Sequence, residues 1–251
     1  MSISASELIV YGSANMPEAN GTTSGGAIDA TTKIVFTDIA ATDSVEFVST
    51  NAADTMNITV TGRNSAGVIV AETKALTGTT PTAATTATFE RILKVVLASV
   101  AAGTVTVRRA TGDTTIATME AGITSVRRLF YDAAADASGG SSRSFYEKVF
   151  VKNTNGVTTL TNAQIAEQAD PTTNITFDLE DAVDDSNSVA NRLDTAPTGM
   201  LGSFDNTTKT VPGGGNLAAG SRIGVWLKLT LAAGTSPTKS TYTLRTTGTT
   251  T

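Results

Sequence analysis

A chain of 251 residues, 40% of them hydrophobic, is long and apolar enough for one large domain or two of ordinary size. Its net charge of −5 speaks against nucleic acid as the main partner, because phosphate neutralisation needs a basic excess. With no cysteine and no histidine it has no disulfide, thiolate nucleophile, histidine-based triad or ordinary zinc site, and it lacks the commonest general base.

Charged residues make up only 16% of the chain. Polarity comes instead from threonine, roughly a fifth of the residues. Thr, Val and Ile suit a pleated, half-buried surface because their branched Cβ restricts χ1. Long runs of Glu, Lys, Leu and Gln are missing, so the composition predicts β structure with many turns. Residues 1–10 carry no Lys or Arg and only a brief apolar run, so no signal peptide is expected. No stretch approaches the length of apolar sequence that a membrane-spanning helix needs, and none is expected.

Along the chain, residues 12–26 are rich in Gly, Ser, Asn and Thr. They read as a loosely ordered N-terminal segment, or as an arm over 1–32 that orders on a neighbouring subunit with Leu8, Ile9, Val10 and Tyr11 as its anchor. Short strands are predicted over 33–38 and 44–49. Met56, Ile58 and Val60 alternate with Asn57, Thr59 and Thr61, a half-buried strand whose return runs from Val68 to Leu76, making 56–76 a hairpin. Residues 77–88 read as a Thr/Ala loop. Strands are predicted over 89–100, 104–109 and 114–120. A boundary falls near Gly122, and the composition of 133–142 is that of a linker or exposed loop.

The second half begins with a strand over 145–152, followed by a turn at Asn155-Gly156. Residues 161–168 read as one short helical turn. Ile175, Phe177 and Leu179 alternate, and 178–187 reads as an acidic loop. Ile223, Val225, Leu227, Leu229 and Leu231 form the longest period-2 run. Tyr242 and Leu244 belong to a last strand, and 246–251 reads as a polar tail. The predicted fold is all-β: an arm (1–32), a first β-sandwich domain of Ig-like or jelly-roll-like type (33–122) and a second (123–251), with 123–144 as a connection or long loop.

Asp178, Glu180, Asp181, Asp184 and Asp185 form the densest acidic cluster and are the only metal candidates. A hard cation needs several converging oxygens, and this spacing lacks the EF-hand order and its closing Glu, so a solvated loop is the expected reading. No acidic pair is framed by aromatics as in a glycosidase. Gly213-Gly214-Gly215 lacks the Gly-Lys-Ser/Thr ending of a phosphate loop. Arg108, Arg109, Arg127 and Arg128 form two doublets that suit either solvated strand ends or an acidic partner surface. Trp226 alternates with the apolar residues of its strand, which makes it an exposed interface anchor or a ring packed under a loop. No catalytic residue and no cofactor are predicted.

Residues 58–73, the stretch Leu76-Thr77-Gly78-Thr79-Thr80 and Phe89-Glu90-Arg91-Ile92 resemble segments in structural proteins of tailed-bacteriophage virions. Asn216-Leu217-Ala218-Ala219-Gly220 and Ile223 through Leu229 resemble the closing strands of other phage virion proteins. Within that class, size and composition are most like a head decoration or cementing protein. The resemblance implies a non-enzymatic, β-rich protein assembled in the host cytoplasm onto the outside of a capsid. It would bind the major capsid protein, clamp neighbouring subunits and act as a homo-oligomer, for instance a trimer at local threefold positions. Neither nucleic acid nor membrane is an expected partner. The alternatives are a tail, neck or baseplate component, and a cell-surface adhesin or carbohydrate-binding module.

Overall fold

The computed structural model describes residues 2–17, 19–34, 37–130, 140–170, 172–235 and 241–250. The protein is almost entirely β, with 49% strand and 3% helix, arranged in several sheets. The first strands are β1 (Leu8–Asn15), β2 (Ser24–Lys33), β3 (Val45–Ser49), β4 (Asn57–Arg63), β5 (Ile69–Ala75) and β6 (Arg91–Leu97). Next come β7 (Val105–Arg109), β8 (Thr115–Met119), β9 (Ser125–Arg127), β10 (Arg143–Asn153) and β11 (Leu160–Ala169). The last are β12 (Ile175–Leu179), β13 (Ser188–Val189), β14 (Lys209–Thr210), β15 (Arg222–Leu231) and β16 (Thr243–Thr250). Among the described residues, no helix is long and apolar enough to cross a membrane.

Two compact units share the chain: Met1–Asp29 with Asp132–Thr251, and Ala30–Tyr131. The sequence predicts divisions at 32/33 and 122/123. Gly122 instead lies in the turn before β9, which continues the second unit: Val126 pairs with Lys33 and with Val95. Of the expected connection over 123–144, residues 131–139 lie outside the described residues, as do residues 35 and 36 of the strand predicted over 33–38.

In the second unit, the end of β2 starts one sheet in the order β2-β9-β6-β4-β5, and β3-β7-β8 form another. The expected hairpin is β4–β5, with Asn57 opposite Ala75 and Arg63 opposite Ile69. Period-2 alternation removes Val45, Phe47, Ile58, Val60, Val95, Val105 and Val107 from water completely. Each such side chain contributes about 1.5–3 kcal/mol of transfer free energy. The Thr/Ala stretch 77–88 is not a loose loop. The amides of Thr82 and Thr85 donate to the carbonyls of Phe47 and Val45 (both 2.9 Å), and the hydroxyls of the same threonines accept from the Phe47 and Val45 amides (3.1 and 3.0 Å). Two threonines thus satisfy the outer edge of β3, which a continuous strand would otherwise have to pair.

Asp54 is the polar keystone of this unit. It is 2% exposed, and its carboxylate accepts from the Ser49 hydroxyl (2.6 Å) and the amides of Ala102 (2.8 Å) and Gly103 (3.0 Å). Those bonds, the Ser49 bond foremost, hold its carboxyl below the ordinary 3.8. Asp54→Ala should lower the stability of the second unit by about 2–4 kcal/mol, since each bond to a buried charge is worth about 1.5–3 kcal/mol. Urea titration of the variant measures it. Because the folded-state pKa is depressed, the stabilisation is complete above the unfolded value and fades as pH falls below about 4.

In the first unit, β12-β15-β10-β1-β2 form one sheet, with β13 paired to β2, and β14-β11-β16 another. The β10–β15 ladder is the spine, running from Arg143 opposite Leu231 to Lys152 opposite Arg222. Three expectations fail here. The arm is no arm in its anchor: β1 pairs with β10 from Leu8 opposite Asn153 to Gly12 opposite Val149, in the interior of the sheet. Residues 161–168 are not helical but lie in β11. Asn162, at φ 50°, accompanies a register shift between Thr161 and Gln164, which breaks the alternation and gives the apolar spacing a helical look. The polar tail is β16, whose threonines pair with β11; the hydroxyls of Thr249 and Thr161 are 2.9 Å apart.

Candidate functional site

Most of the nominated residues are spent inside the molecule. Leu8, Ile9, Val10 and Tyr11 are half-buried in β1 and bonded in register to β10. Arg108 pairs with Glu46 at 2.5 Å across the β3–β7 ladder, and Arg109 with Asp43, just before β3, at 3.0 Å. Arg128 donates to the Ile92 carbonyl (2.7 Å) and to Asp38 (2.5 Å). Arg127 is 8% exposed within β9. Arg108, Arg109 and Arg128 are therefore each matched by a carboxylate of the chain itself, and Arg127 is interior.

Trp226 is fully buried, so of its two sequence readings the packed one holds. Its ring sits with Tyr146, Val189, Met200 and Phe204. Gly25 leaves room for it: a Cβ there would stand 2.5 Å from the Trp226 ring. Gly25 also has φ 87°, a conformation only glycine adopts readily.

The acidic cluster is split rather than convergent. Asp178 and Glu180 are fully buried, not solvated. Asp178 accepts from the Gly202 amide (2.9 Å) and lies 3.6 Å from Lys209, which also pairs with Asp205 (2.9 Å) and donates to the Ser203 carbonyl (2.7 Å). Asp184 pairs with Arg222 (3.3 Å), Asp185 accepts from the Asn187 amide (2.5 Å), and Asp181 is exposed. No group of three or more metal-ligating acidic side chains converges among the described residues. The two halves of the cluster are needed elsewhere, which is why sequence density did not make a site.

The chemistry-bearing residues that the sequence hid lie in β10. Residues 145–151 are buried throughout, so both faces of this strand are interior. Each face carries one charge. Glu147 meets the Arg192 guanidinium at 2.7 Å, with exposures of 1% and 0%. Arg192 also donates to the Pro17 carbonyl and the Asn20 side chain, both 3.1 Å, and its amide donates to the Thr22 carbonyl (3.1 Å). It thereby holds Pro17, Asn20 and Thr22 of the connection between β1 and β2.

On the other face Lys148 stands opposite Trp226, which stands opposite Asp178 on β12. Its Nζ lies 2.5 Å from Glu180 Oε1 and donates to the carbonyls of Asn187 (3.0 Å) and Gly26 (3.2 Å). The nitrogen is 4.6 Å from the Phe150 ring centroid and 5.7 Å from that of Trp226. Trp226 Nε1–H donates to Glu180 Oε1 at 3.3 Å. Burial lowers the Lys148 pKa and raises that of Glu180. The signal for this site was present: Glu147-Lys148 interrupts an otherwise apolar strand, and charges inside a strand buried on both faces must be paired.

Surface features are modest. A depression of about 490 Å³ is lined by Asn15, Met16, Pro17, Gly21, Thr22, Thr23 and Ala190. Val68 and Ile69 are exposed at the tip of the β4–β5 hairpin. Among the strands that end their sheets are β5 in the second unit and β16 in the first. Strand β16, with sequence Thr-Leu-Arg-Thr-Thr-Gly-Thr-Thr, is largely exposed, and among the described residues nothing pairs with its far side. Compared with family models, with curated proteins and with solved structures, the chain matches none.

Proposed function

We propose that the chain is a non-enzymatic virion structural protein that binds the outside of a phage capsid and stabilises it by clamping neighbouring capsid subunits. The observation that carries the reading is strand β16. An outermost strand presents a row of backbone donors and acceptors, and natural edges are blunted by charge, proline or bulges that turn them away. Strand β16 has eight residues, no proline and a single charge, Arg245. An extended segment of a capsid subunit can add to it as a further strand, with main-chain hydrogen bonds supplying affinity.

The chemistry of the interior supports the same reading. Glu147, Lys148, Asp178, Glu180 and Arg192, the charged groups that burial could have tuned for catalysis, hold strands and loops together. We read each unit as a β-sandwich, a rigid body that presents a shaped face. Many copies on a lattice turn modest single contacts into high avidity. The partners are then the major capsid protein and further copies of this chain.

Particles lacking the protein should lose resistance to heat and osmotic shock; particles of unchanged resistance would refute the capsid role. A second measurement separates the edge from the role. Thr247→Lys puts a charge at an exposed position of β16 and should weaken binding to particles at least tenfold while the circular dichroism spectrum is kept. Undiminished binding would place the contact on another surface.

A further inference from the structure

We propose that Lys148 and Glu180 become joined, after folding, by an intramolecular amide bond between Lys148 Nζ and Glu180 Cδ. The two residues belong to segments that do not pair with each other. β15 runs between β10 and β12, and Glu180 follows the end of β12, bonded through its amide to the Gly224 carbonyl (3.0 Å). Its side chain reaches β10 by passing over Gly224. A Cβ at Gly224 would stand 2.7 Å from Glu180 Cδ and 2.8 Å from Lys148 Cε. The missing side chain therefore leaves the room in which these two ends meet.

The surroundings suit a neutral amine facing a neutral acid. Besides Glu180, the nitrogen contacts two backbone carbonyls, those of Gly26 and Asn187. Two N–H bonds use both hydrogens of a neutral amine and leave its lone pair toward the carboxyl group. Glu180 Oε2 has no hydrogen-bond partner. A buried ionised oxygen left bare is far costlier than a bare carbonyl oxygen, and a carbonyl is what Oε2 becomes in the amide. Burial moves both groups toward their neutral forms, in line with this geometry. Both side chains are 0% exposed, beside the Phe150 and Trp226 rings, so the water that would reverse the bond is kept away. Fixed proximity supplies the orientation that a free amine and acid lack.

The step balances without an oxidant or a co-reactant. The Nζ lone pair attacks Cδ and the C–N bond forms. The Cδ–Oε1 bond breaks, Oε1 leaves with its own proton and one from the amine, and a single water is released. Trp226 Nε1–H, already bonded to Oε1, stabilises the departing oxygen. The product staples β10 to β12 across β15.

Mass spectrometry of the purified full-length chain tests the bond without any variant. After denaturation and trypsin digestion, Lys148 should resist cleavage. The peptide Ser144–Lys152 should be found joined to Asn153–Arg192, at one water below the sum of the two. Glu180→Ala should restore cleavage at Lys148 and separate the peptides. Recovery of a free Ser144–Lys148 peptide and an unlinked Asn153–Arg192 peptide from the unaltered chain would overturn the proposal.

Discussion

Arg192→Ala is expected to destabilise the first unit by about 3–5 kcal/mol, the cost of removing one partner from a fully buried ion pair. The substitution strips the guanidinium from the Glu147 carboxylate and frees the Pro17 carbonyl and the Asn20 side chain. The damage should be local. The β1–β2 connection loses its anchor, so amide exchange in β1 and β2 should accelerate well before global unfolding, while the β3–β7 ladder of the second unit keeps its protection. The double variant Glu147→Leu/Arg192→Met should recover most of the loss, because an apolar pair of similar volume removes the stranded charge as well. Denaturant midpoints of the single and double variants, with hydrogen exchange read by mass spectrometry, check both statements. A single variant as stable as the parent would mean that Arg192 is not the anchor of that connection.

Trp226→Ala should cost the same unit about 3–5 kcal/mol, the usual range for deleting a buried large aromatic. Its ring fills the space between Tyr146, Val189, Met200 and Phe204, and its Nε1–H is one of the few donors to Glu180. An exposed interface anchor would show the opposite behaviour, with unchanged stability and lost partner binding. Trp226→Phe keeps most of the packing and removes the N–H, so its cost should fall to about 1–2 kcal/mol. Thermal unfolding followed through Trp226 fluorescence in the parent, and by circular dichroism in the variants, separates the two outcomes.

The elements most legible in the sequence are those whose burial is one-sided. Ile58 and Val60 alternate with exposed or half-buried neighbours, so the β4–β5 hairpin and its register follow from period 2. The β15 run from Ile223 to Leu231 is visible through its period-2 apolar residues, although residues 223–227 are buried on both faces. Illegible elements break the period or hide it. Asn162 inserts a bulge into β11, and the resulting spacing mimics a helical turn. Strand β10 is placed by its apolar run over 145–152, but residues 145–151 are buried on both faces, so alternation cannot show that its charges are interior.

Composition alone settles that the protein is β-rich, because threonine and β-branched apolar residues favour the pleated surface and helix formers are scarce. It also settles that no histidine or cysteine chemistry operates. Which polar residues are interior was decided only by the tertiary structure. Asp178, Glu180, Glu147, Lys148 and Arg192 look like surface groups in a one-dimensional reading, since burying any one of them alone is prohibitive. Their partners lie far along the chain: Glu147 and Arg192 are 45 residues apart, and Arg192 reaches back 175 residues to Pro17. The same holds for Leu8–Tyr11, which could be an arm's anchor until β1 is seen paired to β10, and for Trp226, which could be exposed or packed until its ring is seen buried. Pairing across such separations is a property of the folded sheet, and no local pattern encodes it.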